Sequence, residues 1–293
     1  MKGLVIINAY PNGEKFMRQG ERIAKELRLL GVETDLVKNG EIFAVCQADG
    51  MVSSNLAKEY DFAVYLDKDK YLGKMLEKCG LRLFNNATAV ELCDDKLLTY
   101  IALSKAGVSL VKSIPSPLCY TPNAKVDESF LRSVAQELGF PLIAKKSYGS
   151  FGCGVKRVHG IRELFSTEQE WLYVPHFYQS YVKESAGKDI RVIVIGGKAV
   201  GAMERVAQQG EFRSNIELGG VGRKIELSPQ YAVVAEKAAN ALGLDYCGVD
   251  LLEGGNGAIV CEVNSNAFFE GLESVTGLNI AKLYAEHILR CFS

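Results

Sequence analysis

Gly248-Val249-Asp250-Leu251-Leu252 and Val260-Cys261-Glu262-Val263-Asn264 are two apolar runs, each interrupted by a single acid. Both read as strands. Alternate residues of a strand share a face, which puts Glu262 and Asn264 side by side. If the Asp250 strand pairs with theirs antiparallel, Asp250 joins them. Two carboxylates and an amide oxygen form a hard donor set, suited to Mg²⁺ held jointly with a phosphate. Polar residues on a solvated sheet face would give the same letters, and the pattern leaves both readings open. Acids inside apolar runs are, however, seldom left unpaired.

The surrounding residues have the same antiparallel character. Strands are expected over 177–182, 190–195, 198–205, 247–252 and 258–263, with Gly196-Gly197 as a two-residue hairpin signal. Helices are expected over 230–242 and 279–289. This last third reads as an antiparallel-rich α+β unit. Upstream, Thr88 and Glu91 make a capping box for one helix running to about Ala106 and ended by Gly107. Three prolines between 115 and 125 mark a connection. A helix over 127–138 leads to strands over 141–145 and 155–158, separated by Gly149-Ser150-Phe151-Gly152-Cys153-Gly154. Glycines let backbone N–H groups approach a phosphate, and a plain hairpin turn has the same composition. Lys145 ends the strand entering this loop. Lys96, Lys145, Arg191, Arg205 and Arg213 form a scattered basic set that suits either solvated surface or a triphosphate site next to the acids.

The first ninety residues alternate strand and helix: strands over 3–8, 32–37, 62–66 and 81–84, helices over 14–30 and 69–79. That is a small parallel α/β domain. After its first strand comes Asn8-Ala9-Tyr10-Pro11-Asn12-Gly13, which has neither glycine fingerprint of a nucleotide-binding half. A nicotinamide-dependent dehydrogenase is thereby excluded, and a supporting role is expected.

Composition narrows the class. The chain has 293 residues, 48% of them hydrophobic and 24% charged, with 34 basic and 35 acidic side chains and a net charge of −1. That excludes a disordered chain or a coiled-coil rod, and asks for neither a nucleic-acid nor a membrane partner. Eight cysteines contain no C-x-x-C pair. Cys247 and Cys261, inside apolar runs, read as small core residues in a reducing cytoplasm.

These blocks, in this order, resemble the ATP-grasp superfamily, and within it the RimK-type amino-acid ligases, which include alpha-L-glutamate ligases. The resemblance runs from about Asn85 to the C-terminus. It rests on Cys93-Asp94-Asp95-Lys96, Phe140 to Lys145, the glycine loop, Gln179 to Glu184, Gly187 to Arg191, Glu204-Arg205, Gly210 to Asn215, Gly219-Gly220, Gly248-Val249-Asp250 and Glu262-Val263-Asn264. It implies a pre-ATP-grasp α/β domain over 1–87 followed by a two-lobed ATP-grasp fold: a central lobe over 88–175 with the glycine-rich lid, and a C-terminal lobe over 176–293 with the metal site.

The roles implied follow the same positions. Lys96 and Lys145 hold the nucleotide phosphates, with Gly149, Ser150, Gly152 and Gly154 closing over them. Gln179, Tyr181 and Val182 meet the adenine at the hinge, and Asp189 the ribose. Arg213 and Asn215 sit near the transferred phosphate. Asp250, Glu262 and Asn264 bind two Mg²⁺ ions, with Mn²⁺ as a substitute. Arg191 and Arg205 fall near phosphate or acceptor. The implied activity is an ADP-producing carboxylate–amine ligase. It phosphorylates the carboxylate of a small molecule or peptide and joins it to an amino acid, glutamate being the family's commonest. Dimers and tetramers are common in this superfamily.

Three positions depart from the family pattern. Ser180 stands where Glu often precedes the hinge tyrosine, and Phe151 replaces a polar lid residue. Ser265-Asn266-Ala267-Phe268-Phe269 replaces a small-residue turn bordering the acceptor. Two alternatives remain. A D-alanine–D-alanine-like dipeptide ligase is opposed by Phe212-Arg213-Ser214-Asn215. A catalytically silent ATP-binding regulator is opposed by the full acid and lysine set.

Overall fold

The computed structural model describes residues 1–10, 14–216 and 219–293. Residues 11–13 of the first strand–helix turn therefore lie outside it. The N-terminal part runs β1 (Lys2–Ile7), α1 (Glu14–Leu29), β2 (Glu33–Lys38), β3 (Ala44–Cys46), β4 (Val52–Ser54), β5 (Phe62–Leu66), α2 (Lys70–Lys78) and β6 (Arg82–Phe84). Its main sheet has the order β2-β1-β5-β6 and is parallel throughout, as the alternation predicts. The β3–β4 hairpin has strands of only three residues, too short to leave a periodic pattern in the sequence.

Next come α3 (Ala87–Asp94), α4 (Lys96–Leu103), β7 (Ser109–Leu110), β8 (Ser113–Pro115), α5 (Glu128–Leu138), β9 (Leu142–Lys146), β10 (Val155–Val158), α6 (Ile161–Trp171) and β11 (His176–Ser180). The single helix expected over 88–106 is two helices. Asn86, not Thr88, caps the first, accepting from the Ala89 amide at 2.9 Å. Asp95 leaves helical geometry and caps the second, its carboxylate accepting from the amides of Leu97 and Leu98 at 2.9 and 3.1 Å. A short acceptor side chain competes with the helix for its own backbone donors, and at Asp95 it wins.

The chain closes with β12 (Lys188–Ile195), β13 (Lys198–Val206), β14 (Val221–Lys224), α7 (Pro229–Leu242), β15 (Tyr246–Gly254), β16 (Gly257–Asn264), α8 (Glu270–Thr276) and α9 (Ile280–Arg290). Gly196 and Gly197 both have positive φ (57° and 73°), the geometry that a tight β12–β13 turn requires. Two antiparallel sheets face the cleft. One is β10-β9-β11-β8; the other is β14-β13-β12-β15-β16, with β7 added in parallel at its edge.

Core packing does not follow the three-part division of the sequence. Val5, Ile23 and Phe62 of the N-terminal part share one core with Ile193, Tyr246, Phe269 and Tyr284 of the C-terminal lobe. Leu131, Leu142, Leu164, Trp171 and Tyr178 form a separate core inside the central lobe. Asn85 pins the first pair together from a fully buried position. Its Nδ2 donates to the carbonyls of Tyr246 (2.7 Å) and Ser265 (2.8 Å), and its Oδ1 accepts from the amides of Asp245 (2.7 Å) and Tyr246 (2.9 Å). Among the described residues, no helix is long and apolar enough to cross a membrane.

Candidate active site

Strand register builds the acid cluster. Asp250 of β15 pairs with Glu262 of β16, and Gly248 with Asn264. Directly paired residues share a face, so the three side chains meet as expected. The structure adds two guanidinium groups. Arg191, opposite Asp250 on β12, donates to its carboxylate at 2.7 and 2.8 Å. Arg205 of β13 lies 2.9 Å from Asp250 and makes a two-pronged pair with Asp189 at 2.7 and 2.6 Å. Burial alone would raise the Asp250 pKa. Arg191 and Arg205 outweigh it and hold the carboxyl below its ordinary range. Burial likewise opposes the charge on Arg205, and Asp250 and Asp189 outweigh it, so its pKa is raised.

The all-oxygen set fits a hard divalent ion, though unequally. Glu262 is partly open, with Lys96 Nζ 3.5 Å away. Asn264 donates its Nδ2 to Asp250 at 3.3 Å, leaving its amide oxygen available. Asp250 accepts from both arginines and from Asn264, so a metal at Asp250 must share it with them.

A cavity of about 920 Å³ lies between the two antiparallel sheets. Lys96, first residue of α4, donates to the Gly149 carbonyl at 2.6 Å and lines it together with Lys145 of β9. Gly149, Ser150 and Gly152 form one side. Gly154 does not line it; a Cβ there would meet the Lys146 side chain at 2.9 Å, so packing and a positive φ require glycine. Gln179, Tyr181 and Val182 lie along the β11 end, with Gln179 Nε2 fixed on Ser113 Oγ at 2.8 Å. Asp189, Arg205, Arg213, Asn215, Asp250 and Glu262 complete the wall. Arg213 is held by both carboxylate oxygens of Glu211 (3.0 and 2.8 Å) and donates to the Gly152 carbonyl at 2.9 Å, tying the glycine loop to the opposite lobe. The hydrogen bond from Arg213 pulls the Glu211 pKa down to about 2.

A second cavity, about 1010 Å³, adjoins the first; Ser150, Phe151, Arg205, Asn215 and Glu262 line both. Arg191 and Asn264 belong to this second space, as do Asn8, Asp67 and Lys68 of the N-terminal part. The sequence reading gave that part no ligand contact. The available signal was position, because Asn8 and Asp67 directly follow β1 and β5, at the end of a parallel sheet where ligands collect. Cys261, expected to be core, instead lines the first cavity with Lys145 Nζ 3.6 Å from its sulfur, and burial raises its thiol pKa. Cys153 of the glycine loop is exposed.

The aromatic departures meet at the mouth. Phe151 sits at φ 59° in the lid loop. Its ring stacks on Phe268 (6.2 Å, 25°), and Phe16 of α1 meets both edge-on.

A parallel α/β domain followed by two antiparallel sheets clasping a cavity is the ATP-grasp architecture. The crystal structure of a RimK domain ATP-grasp protein from Sphaerobacter thermophilus matches 98% of this chain and 99% of its own, with a TM-score of 0.72 at 17% identity. The chain belongs to the RimK-like ATP-grasp family, whose domain matches residues 93–288. It is 34% identical to human N-acetylaspartylglutamate synthase A over 78% of this chain and 57% of that protein. With a probable alpha-L-glutamate ligase from Marinomonas sp. (strain MWYL1) it shares 36% identity, over 73% of this chain and 69% of that protein. The chain thus spans little more than half the length of the human relative.

Proposed function

We propose that the chain is an ATP- and magnesium-dependent ligase that joins a carboxylate to the amine of an amino acid, with release of ADP and phosphate. One observation carries this reading: two cavities share a wall at Glu262, Arg205 and Asn215. A nucleotide in the first would present its terminal phosphate to a carboxylate in the second. The lysine pair and glycine loop suit a triphosphate, and Gln179 to Val182 suit an adenine edge. Arg213 and Asn215 are assigned to the transferred phosphate, and Arg191 and Arg205 to orienting the carboxylate and the acids around it. Glu262 and Asn264, with Asp250 shared between ion and arginines, would hold one or two Mg²⁺ ions. Bound there, magnesium supplies charge neutralisation for the phosphoryl group in flight.

The protein's own contribution is to orient two substrates and exclude water from the acyl phosphate, which hydrolyses if exposed. Cations lining a desolvated cavity stabilise the developing charge more strongly than they would in water. The names of the relatives support glutamate as the added amino acid. Eight free cysteines suit a reducing cytoplasm. The test incubates the protein with Mg-ATP, ¹⁵N-glutamate and either N-acetylaspartate or a small-molecule extract, followed by mass spectrometry. A labelled amide with one ADP per product is expected. AMP in place of ADP, or no nucleotide consumption with any carboxylate, overturns the reading.

A further inference from the structure

Among the described residues, charge in the second cavity does not balance. Its cations are all engaged: Lys68 with Asp94 at 2.9 Å, Arg191 with Asp250, and Arg205 with Asp189 and Asp250. Of its two carboxylates, Glu262 has Lys96. Asp67 is only 5% exposed and has no cationic partner among the described residues. Its Oδ1 accepts from the Lys68 amide (2.6 Å), the Asp69 amide (3.3 Å) and Asn8 Nδ2 (3.1 Å). Among the described residues its Oδ2 accepts only a long contact from Asn8, at 3.3 Å. Burial pushes the Asp67 pKa up against these contacts. A buried carboxylate with spare acceptor capacity, facing a cavity whose other charges are matched, lacks a cation.

The location is also selective. β1 is flanked by β2 on one side and β5 on the other, so the chain reverses its direction of winding between β1 and β5. Asn8 and Asp67 follow these two strands and frame the crevice at their carboxyl ends, the usual ligand position in such a sheet.

We infer that Asp67, oriented by Asn8, is the subsite for the ammonium group of the incoming amino acid. This rests on the ligase reading above and deepens it: the N-terminal domain selects the amine substrate by its positive charge. The incoming substrate is then a primary ammonium compound whose nitrogen lies between Asp67 and the carboxylate being activated, and an uncharged or N-acylated analogue of the amino acid binds more weakly for want of the Asp67 contact.

Two measurements test this on the full chain. The first is calorimetric titration, in the presence of Mg²⁺ and a non-hydrolysable ATP analogue, of L-glutamate and of glutarate, which lacks the ammonium group. Wild type should bind glutamate about 10- to 100-fold more tightly than glutarate, the range of one charge-assisted hydrogen bond, and Asp67→Asn should abolish that preference. Equal binding of the two by wild type, no binding of either, or an intact preference in Asp67→Asn overturns the subsite. The second uses hydroxylamine, a largely uncharged nucleophile at neutral pH, in competition with glutamate and with N-acetylaspartate as carboxylate. In Asp67→Asn the ratio of glutamyl amide to hydroxamate should fall at least about 10-fold, and an unchanged ratio overturns the subsite. Absence of hydroxamate from wild type counts against the ligase reading instead, while the titration still decides the subsite.

Discussion

Replacing Asp250 with Asn keeps the shape of the side chain and removes its charge from the centre of the acid–arginine cluster. Asp250 is buried, and it accepts from Arg191 at 2.7 and 2.8 Å and from Arg205 at 2.9 Å. Removing one partner of a buried ion pair costs about 3–5 kcal/mol, because the other charge is left uncompensated. Here Arg205 keeps Asp189, so Arg191 alone is stranded, and it is partly exposed. The cost should fall near the low end, about 3 kcal/mol. That is a sizeable part of a total stability of about 5–15 kcal/mol and corresponds to a melting temperature lower by about 6–12 °C. The folded pKa of Asp250 is depressed, so its contribution is fully present above the unfolded value, near 4, and disappears as pH falls through the folded value. The gap between wild type and variant should therefore be constant from about pH 6 to 8 and close only in strong acid. Differential scanning calorimetry across that range measures it, alongside acceptor-dependent ADP release, which should be lost. Equal melting temperatures at pH 7, or a gap that widens between pH 6 and 8, would refute the reasoning.

Three other perturbations address separate walls of the site. Lys145→Ala should raise the ATP concentration needed for half-maximal ADP release by about 10- to 100-fold, and normal ATP dependence would remove this lysine from the nucleotide. Glu211→Gln should loosen Arg213 from the glycine loop and speed limited proteolysis within residues 149–154. Because the folded Glu211 pKa is lowered to about 2, its contribution is complete above the unfolded value, near 4.5, and is lost as pH falls through about 2, so the effect should be flat from pH 6 to 8. Phe268→Ala removes a ring that both Phe16 and Phe151 touch, and should raise the ADP formed per amide product as water reaches the acyl phosphate; a ratio that stays at one would show that the aromatic cluster does not seal the cavity.

Much of this architecture was legible because it is written in short-range periodicity. The buried strand Phe62–Leu66 falls at the residues its apolar run marks, and Val155–Val158 at the residues expected to form a strand after the glycine loop. The break at Asp95 was not legible, since the apolar spacing continues across it and only the competition between a carboxylate and the helix interrupts the chain. The brief strands β7, β8 and β14 acquire their conformation from the neighbour they pair with, leaving little local pattern. At the site, the acid trio could be read because strand alternation fixes its face. Arg191 opposite Asp250 and Arg205 beside Asp189 are products of register between distant strands, which single-residue spacing does not encode. Asp67 has no local mark, because only the parallel pairing of β1 with β5 brings the ends of these two strands together.

The shared core and the four bonds of Asn85 have a mechanical consequence. The N-terminal domain and the C-terminal lobe cannot separate without opening a common interior. The β8–β11 sheet with α5 and α6 carries its own interior, whereas α3, α4 and β7 pack into the C-terminal lobe, so an opening of the cleft would fall between these two. Exchange of parts between relatives is correspondingly unequal. A transplanted β8–β11 sheet with α5 and α6 brings its whole core with it, whereas a transplanted N-terminal domain must also match the interior faces of β12, β15 and α9 before the chimera folds.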